Sequence, residues 1–111
     1  MLIIKEPIKF SEIKEKYANF YQSLVKIVVD VEKGIIAVDA EMHADLEQEL
    51  LEEESNQKDL WGANLYLDKP GLVEFNSLIN IRPGQGNADM NILDEKLREK
   101  IQEIVNKLIL I

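Results

Sequence analysis

Ile27-Val28-Val29-Asp30-Val31-Glu32-Lys33-Gly34-Ile35-Ile36-Ala37-Val38 is the stretch that decides the fold. Ile27, Val29 and Val31 alternate with Val28, Asp30 and Glu32, the period of an extended strand, and Lys33-Gly34 supplies a turn. The alternation then resumes. Ile36, Val38, Ala40, Met42, Ala44 and Leu46 fall on one face, and Asp39, Glu41, His43, Asp45 and Glu47 on the other. The expectation is a β-hairpin with a strand running to about His43. Residues 46–54 stay open between continued strand and short helix, because Leu46 and Leu50 are four apart.

Working outward, Leu60–Leu67 reads as a strand with Trp61, Ala63, Leu65 and Leu67 on one face and Gly62, Asn64 and Tyr66 on the other. Asp68-Lys69-Pro70-Gly71 is a turn. A further strand is expected over 73–82, where Val73, Phe75, Ser77, Ile79 and Ile81 alternate with Glu74, Asn76, Leu78, Asn80 and Arg82. Pro83-Gly84-Gln85-Gly86-Asn87 ends it in a loop. On the N-terminal side, Ile13, Tyr17, Phe20, Tyr21 and Leu24 recur at helical spacing behind a Ser11 cap. On the C-terminal side, Leu97, Ile101, Ile104, Val105 and Leu108 mark one face of a helix starting near Leu93, capped by Asn91 or Asp94. The fold class that results is α+β. A mostly antiparallel sheet of four to five strands carries an N-terminal and a C-terminal amphipathic helix on one face, in a single domain over residues 1–111.

Composition narrows the function. With no cysteine, disulfides, thiolate zinc sites and cysteine nucleophiles are excluded. A formal charge of -8 repels nucleic acid. The apolar start Met1-Leu2-Ile3-Ile4 is interrupted at once by Lys5, Glu6 and Pro7, too short for a signal peptide or membrane span, so a cytoplasmic protein without membrane partners is expected.

Three runs, Val28-Val29-Asp30-Val31-Glu32-Lys33-Gly34, Asp59-Leu60-Trp61-Gly62-Ala63-Asn64-Leu65-Tyr66 and Ser77-Leu78-Ile79-Asn80-Ile81-Arg82-Pro83, carry a family resemblance. Through them the chain resembles, over most of its length, a small family of uncharacterised prokaryotic proteins catalogued as a domain of unknown function. The resemblance implies no activity. In relatives a basic residue often follows the glycine-asparagine pair, whereas Ala88-Asp89 follows Asn87 here.

Two constellations compete for a function. Asn64, Asn76, Asn80 and Arg82 fall on the polar faces of two strands, and Asn87 follows in the glycine loop. Amides are poor strand formers, so their presence suggests hydrogen bonding, either to neighbouring turns or to a small polar or anionic ligand. The leading expectation is a non-catalytic binding or interaction domain using this face. A homo-oligomer would bury an edge strand or the apolar end Leu108-Ile109-Leu110-Ile111. The rival is a metal-assisted hydrolase in which Glu41, His43 and Asp45 hold a divalent cation. Against it, His43 is the single histidine, and a solvated strand face explains the same pattern. No cofactor other than such a metal is implied.

Overall fold

In chain order, β1 (Leu2–Ile4) and β2 (Ile8–Lys9) lead into α1 (Phe10–Lys16), followed by the hairpin β3 (Leu24–Asp30) and β4 (Ile35–Val38). Then come α2 (His43–Glu52), β5 (Leu60–Tyr66), β6 (Val73–Glu74), α3 (Glu95–Leu108) and β7 (Ile109–Leu110). The computed structural model describes all residues, Met1–Ile111. Five strands form one antiparallel sheet in the order β1-β4-β3-β5-β6, and β2 and β7 form a separate parallel pair that ties the two ends of the chain together.

Asp30 builds the central hairpin. Its Oδ1 accepts the backbone N–H groups of Glu32 and Lys33 at 2.9 and 2.8 Å, and Gly34 adopts the positive φ of 68° that the turn needs. The other carboxylate oxygen accepts from Ser55 Oγ at 2.6 Å, so this buried acid is occupied by the fold.

The sheet is buried on both faces. On one, Ile27, Val29, Ile36, Val38, Trp61, Ala63 and Leu65 join Phe10 and Ile13 of α1 and Ile101, Ile104, Val105 and Leu108 of α3. Those four α3 side chains contribute roughly 1.5–3 kcal/mol each before chain entropy is subtracted. On the opposite face, Val28, Ala37 and Leu60 pack with Ala40 and with Leu46 and Leu50 of α2. A second side left open to solvent is therefore not what the chain builds.

Several expected elements are corrected. The strand expected to continue past Val38 stops there, because Asp39 takes a positive φ of 75° and its carboxylate accepts the backbone and side-chain N–H groups of Asn19. The chain turns and re-enters as α2, whose buried His43, Leu46 and Leu50 follow helical spacing. The N-terminal helix ends at Lys16, leaving Phe20 and Tyr21 exposed and Leu24 at the start of β3. Ser11 lies inside that helix rather than at its cap. The strand expected over 73–82 pairs with β5 only at Val73 and Glu74; Asn76 and Arg82 make isolated bridges to Asn91 and Asn87, and Leu78–Asn80 and Pro83–Gln85 are single 3-10 turns. Asp94 caps α3, accepting from the N–H of Lys96. Of the apolar C-terminal end, Leu108 and Ile109 are buried within the chain, while Leu110 and Ile111 are exposed.

Candidate functional site

The short β6 leaves most of the β5 edge without a neighbouring strand, and residues 77–91 fold back over it. Gly62 permits the approach: a Cβ there would lie 2.6 Å from Ser77 Cβ. Asn80, fully buried, takes the place of a strand. Its Oδ1 accepts from the Gly62 N–H and its Nδ2 donates to the Gly62 carbonyl, both at 2.9 Å, with a second donation to Met90 O at 3.1 Å. Asn87 fixes the rest of the loop. Its Nδ2 donates to the carbonyls of Asn80, Asp89 and Asn91, and its Oδ1 accepts from the N–H of Leu93.

Arg82 is equally engaged. Nε donates to Ile79 O, Nη1 to Gln57 O and Nη2 to Leu60 O, while Nη2 also lies 3.4 Å from Glu47 Oε2. The guanidinium carbon sits 4.5 Å from the Trp61 ring centroid. Asn80, Arg82 and Asn87 therefore form the framework that holds the loop, and neither Asn80 nor Arg82 lines the cleft beside it.

That cleft, of about 460 Å³, lies between the first turn of α2 and the loop, over the face of β3 and β5 that carries Lys26 and Asn64. Its volume falls in the range of small-molecule sites. Leu24, Met42, Leu78, Ile79 and Met90 make it largely apolar, and Lys26, His43 and Asn64 are its main polar groups. Asn64 Nδ2 donates to Glu74 Oε1 at 2.8 Å and to Asn76 O at 3.3 Å. Its Oδ1, in a residue only 7% exposed, has no hydrogen-bond partner. Asn76 also lines the cleft, its own side chain donating to Asn91 Oδ1.

His43 is buried, with Nε2 2.8 Å from the carbonyl of Ala63. A carbonyl only accepts, so Nε2 carries the proton and Nδ1 holds the lone pair of the neutral ring. Burial pushes its pKa below the ordinary 6.5; the bond to Ala63 opposes this, the charge of Lys26 adds to it, and the neighbouring Asn64 side chain opposes it. The Lys26 ammonium stands 5.2 Å from the Tyr21 ring centroid. The chain's two ion pairs, Lys5–Glu53 and Arg82–Glu47, leave Lys26 without a carboxylate partner.

The expected metal ligands are not brought together. Glu41 and Asp45 are exposed and line a different, shallow depression, whereas His43 turns into the fold. No group of three or more His, Asp and Glu side chains is placed to hold a metal ion. Two cleft residues, Lys26 and Tyr21, escaped the sequence reading. Lys26 had a signal: it is the one cation in the apolar run Leu24–Val29, and alternation puts it on the face of Val28.

A family model described as a protein of unknown function (DUF5674) matches residues 2–108. No curated protein and no solved structure matches the chain.

Proposed function

The chain belongs to this family of unknown function, and from the geometry of its cleft we propose that it is a binding domain for a small, mostly apolar molecule held between α2 and the 77–91 loop. The observation that carries the reading is the cleft itself, about 460 Å³ and lined mainly by apolar side chains, with Lys26, which has no carboxylate partner, among its lining. Two methionines in the lining, Met42 and Met90, suit an apolar guest because the thioether side chain adapts its shape.

Binding is favoured over catalysis by how the candidate reactive groups are used. Ser77 Oγ accepts from the Ile79 N–H and shares no hydrogen bond with His43, whose protonated nitrogen is taken by Ala63. A nucleophile and a base in contact, which covalent hydrolysis requires, do not occur together in the cleft.

Indole and 4-methylphenol each pair an apolar ring with one donor. In ¹⁵N–¹H NMR titrations of the full chain they should shift the amides of Lys26, His43, Asn64 and Leu78, with dissociation constants on the order of millimolar, as befits fragments of that size. Ala44→Trp, at an exposed rim position, should fill the cleft and abolish the shifts. Shifts scattered over the surface, or unchanged in that variant, would overturn the proposal.

A further inference from the structure

The cleft carries one charge and no counter-charge. Lys26 comes from β3, the central strand of the sheet, on the face that also carries Val28, and it is half-buried. Among the residues that line the cleft with it there is no Asp or Glu. The acids of the neighbouring elements are engaged or turned elsewhere. Glu74 accepts from Asn64 Nδ2 and Tyr66 OH, Asp39 accepts from Asn19, and Asp39, Glu41 and Asp45 line a separate depression. Tyr21 fixes where the cation stands: its OH donates to the Glu41 carbonyl, and the ammonium lies 5.2 Å from its ring centroid. His43 adds no second charge at pH 7, because its ring is neutral and its N–H is given to Ala63.

Resting on the binding reading above, we infer that the ligand is a monocarboxylate, a small aromatic or branched aliphatic body bearing a single carboxylate that pairs with Lys26. The body lies on Leu24, Leu78, Ile79 and Met90. A cation flanked by apolar walls is poorly hydrated, so a counter-charge there is worth more than it would be in open water. One ammonium matches one negative charge, and a chain of formal charge -8 opposes a second. Met42, at the start of α2, gives that helix no side-chain cap, so the positive end of its dipole adds to the same attraction.

NMR titration of the full chain with 4-methylbenzoate, 4-methylbenzamide and 4-methylbenzylamine holds the apolar body constant and changes its charge from negative to neutral to positive. The pair 3-phenylpropionate and 3-phenylpropionamide repeats the first comparison with a longer reach. In at least one pair the carboxylate should bind about fivefold or more tightly than its amide, with the amine weakest of all. Raising the salt to about 0.5 M should shrink that preference, a test made on the unaltered chain. Lys26→Met should reduce the carboxylate to the affinity of its amide and leave the amide unchanged, and Lys26→Arg should retain the preference. Equal binding of acid and amide in both pairs, with NMR shifts at the cleft, would overturn the ligand class and leave the binding reading standing. So would a preference unmoved by salt or by Lys26→Met, or tighter binding of the dianion phenyl phosphate than of either carboxylate. If none of these probes, nor indole nor 4-methylphenol, shifts the cleft amides, both readings fall.

Discussion

The carboxamide of Asn80 pairs with both backbone groups of Gly62, accepting from its N–H and donating to its carbonyl at 2.9 Å each, as a neighbouring strand would. One side chain thus completes the open edge of β5 and roofs the cleft with the loop that carries it.

Asn80→Asp tests that pairing with almost no change of volume. The carboxylate still accepts from the Gly62 N–H but presents no donor to the carbonyls of Gly62 and Met90, so the variant should lose about 2–4 kcal/mol. Urea unfolding reads the loss directly. Asn80→Asp with wild-type stability would show that the pairing contributes nothing.

Gly62→Ala should be nearly as costly. Its Cβ would stand 2.6 Å from Ser77 Cβ and 2.7 Å from Ser77 Oγ, so strand and loop must separate. Overpacking of this kind costs about 1–3 kcal/mol, and here it also stretches the bonds to Asn80. Thermal unfolding should show the loss, and amide exchange should show faster exchange at Gly62 and Asn80.

Arg82→Lys keeps the charge and removes the planar fork. One ammonium cannot reach the carbonyls of Ile79, Gln57 and Leu60 together or stack on Trp61, so a loss of about 1–3 kcal/mol is expected, with a change in the emission of the single tryptophan. Equal stability and unchanged fluorescence would count against a structural role.

His43 makes stability depend on pH. Its folded pKa lies below the ordinary 6.5, so as pH falls the unfolded chain takes up a proton before the folded chain does. The contribution is complete above 6.5 and declines as pH drops below it. Between pH 7 and about 5.5, above the carboxylate range, the melting temperature should fall more in wild type than in His43→Gln, whose amide can still donate to Ala63 O. Parallel curves would contradict the assignment.

Local pattern carried far in some places and failed in others for identifiable reasons. The Lys33-Gly34 turn, the strand through Trp61 and the apolar face of α3 are short-range features, set by the period of a segment and the residues bounding it. Past Val38 two periods coexist. Ala40, Met42, Ala44 and Leu46 alternate as in a strand, while His43, Leu46 and Leu50 follow a helix, and the helix wins because Leu46 and Leu50 bury against Val28, Ala37 and Leu60. A clue to that second covered face was present in the sequence. Val28, Ile35 and Ala37 occupy positions that a solvated face would fill with polar residues.

From the sequence alone came the α+β class, the antiparallel hairpin, the helix at the C-terminus, the family resemblance and the asparagines as residues needing a reason. Each rests on interactions within a segment or on residue identity. Only the tertiary structure decided what the asparagines do, since Asn80 and Gly62, or Lys26 and Asn64, are far apart along the chain and meet through strand pairing and loop closure. It separated Asn80, Arg82 and Asn87, whose polar groups hold the loop, from Asn64, whose carboxamide nitrogen is bonded while its oxygen is not. Whether a buried polar atom is satisfied depends on which distant backbone groups surround it, and residue order does not encode that locally.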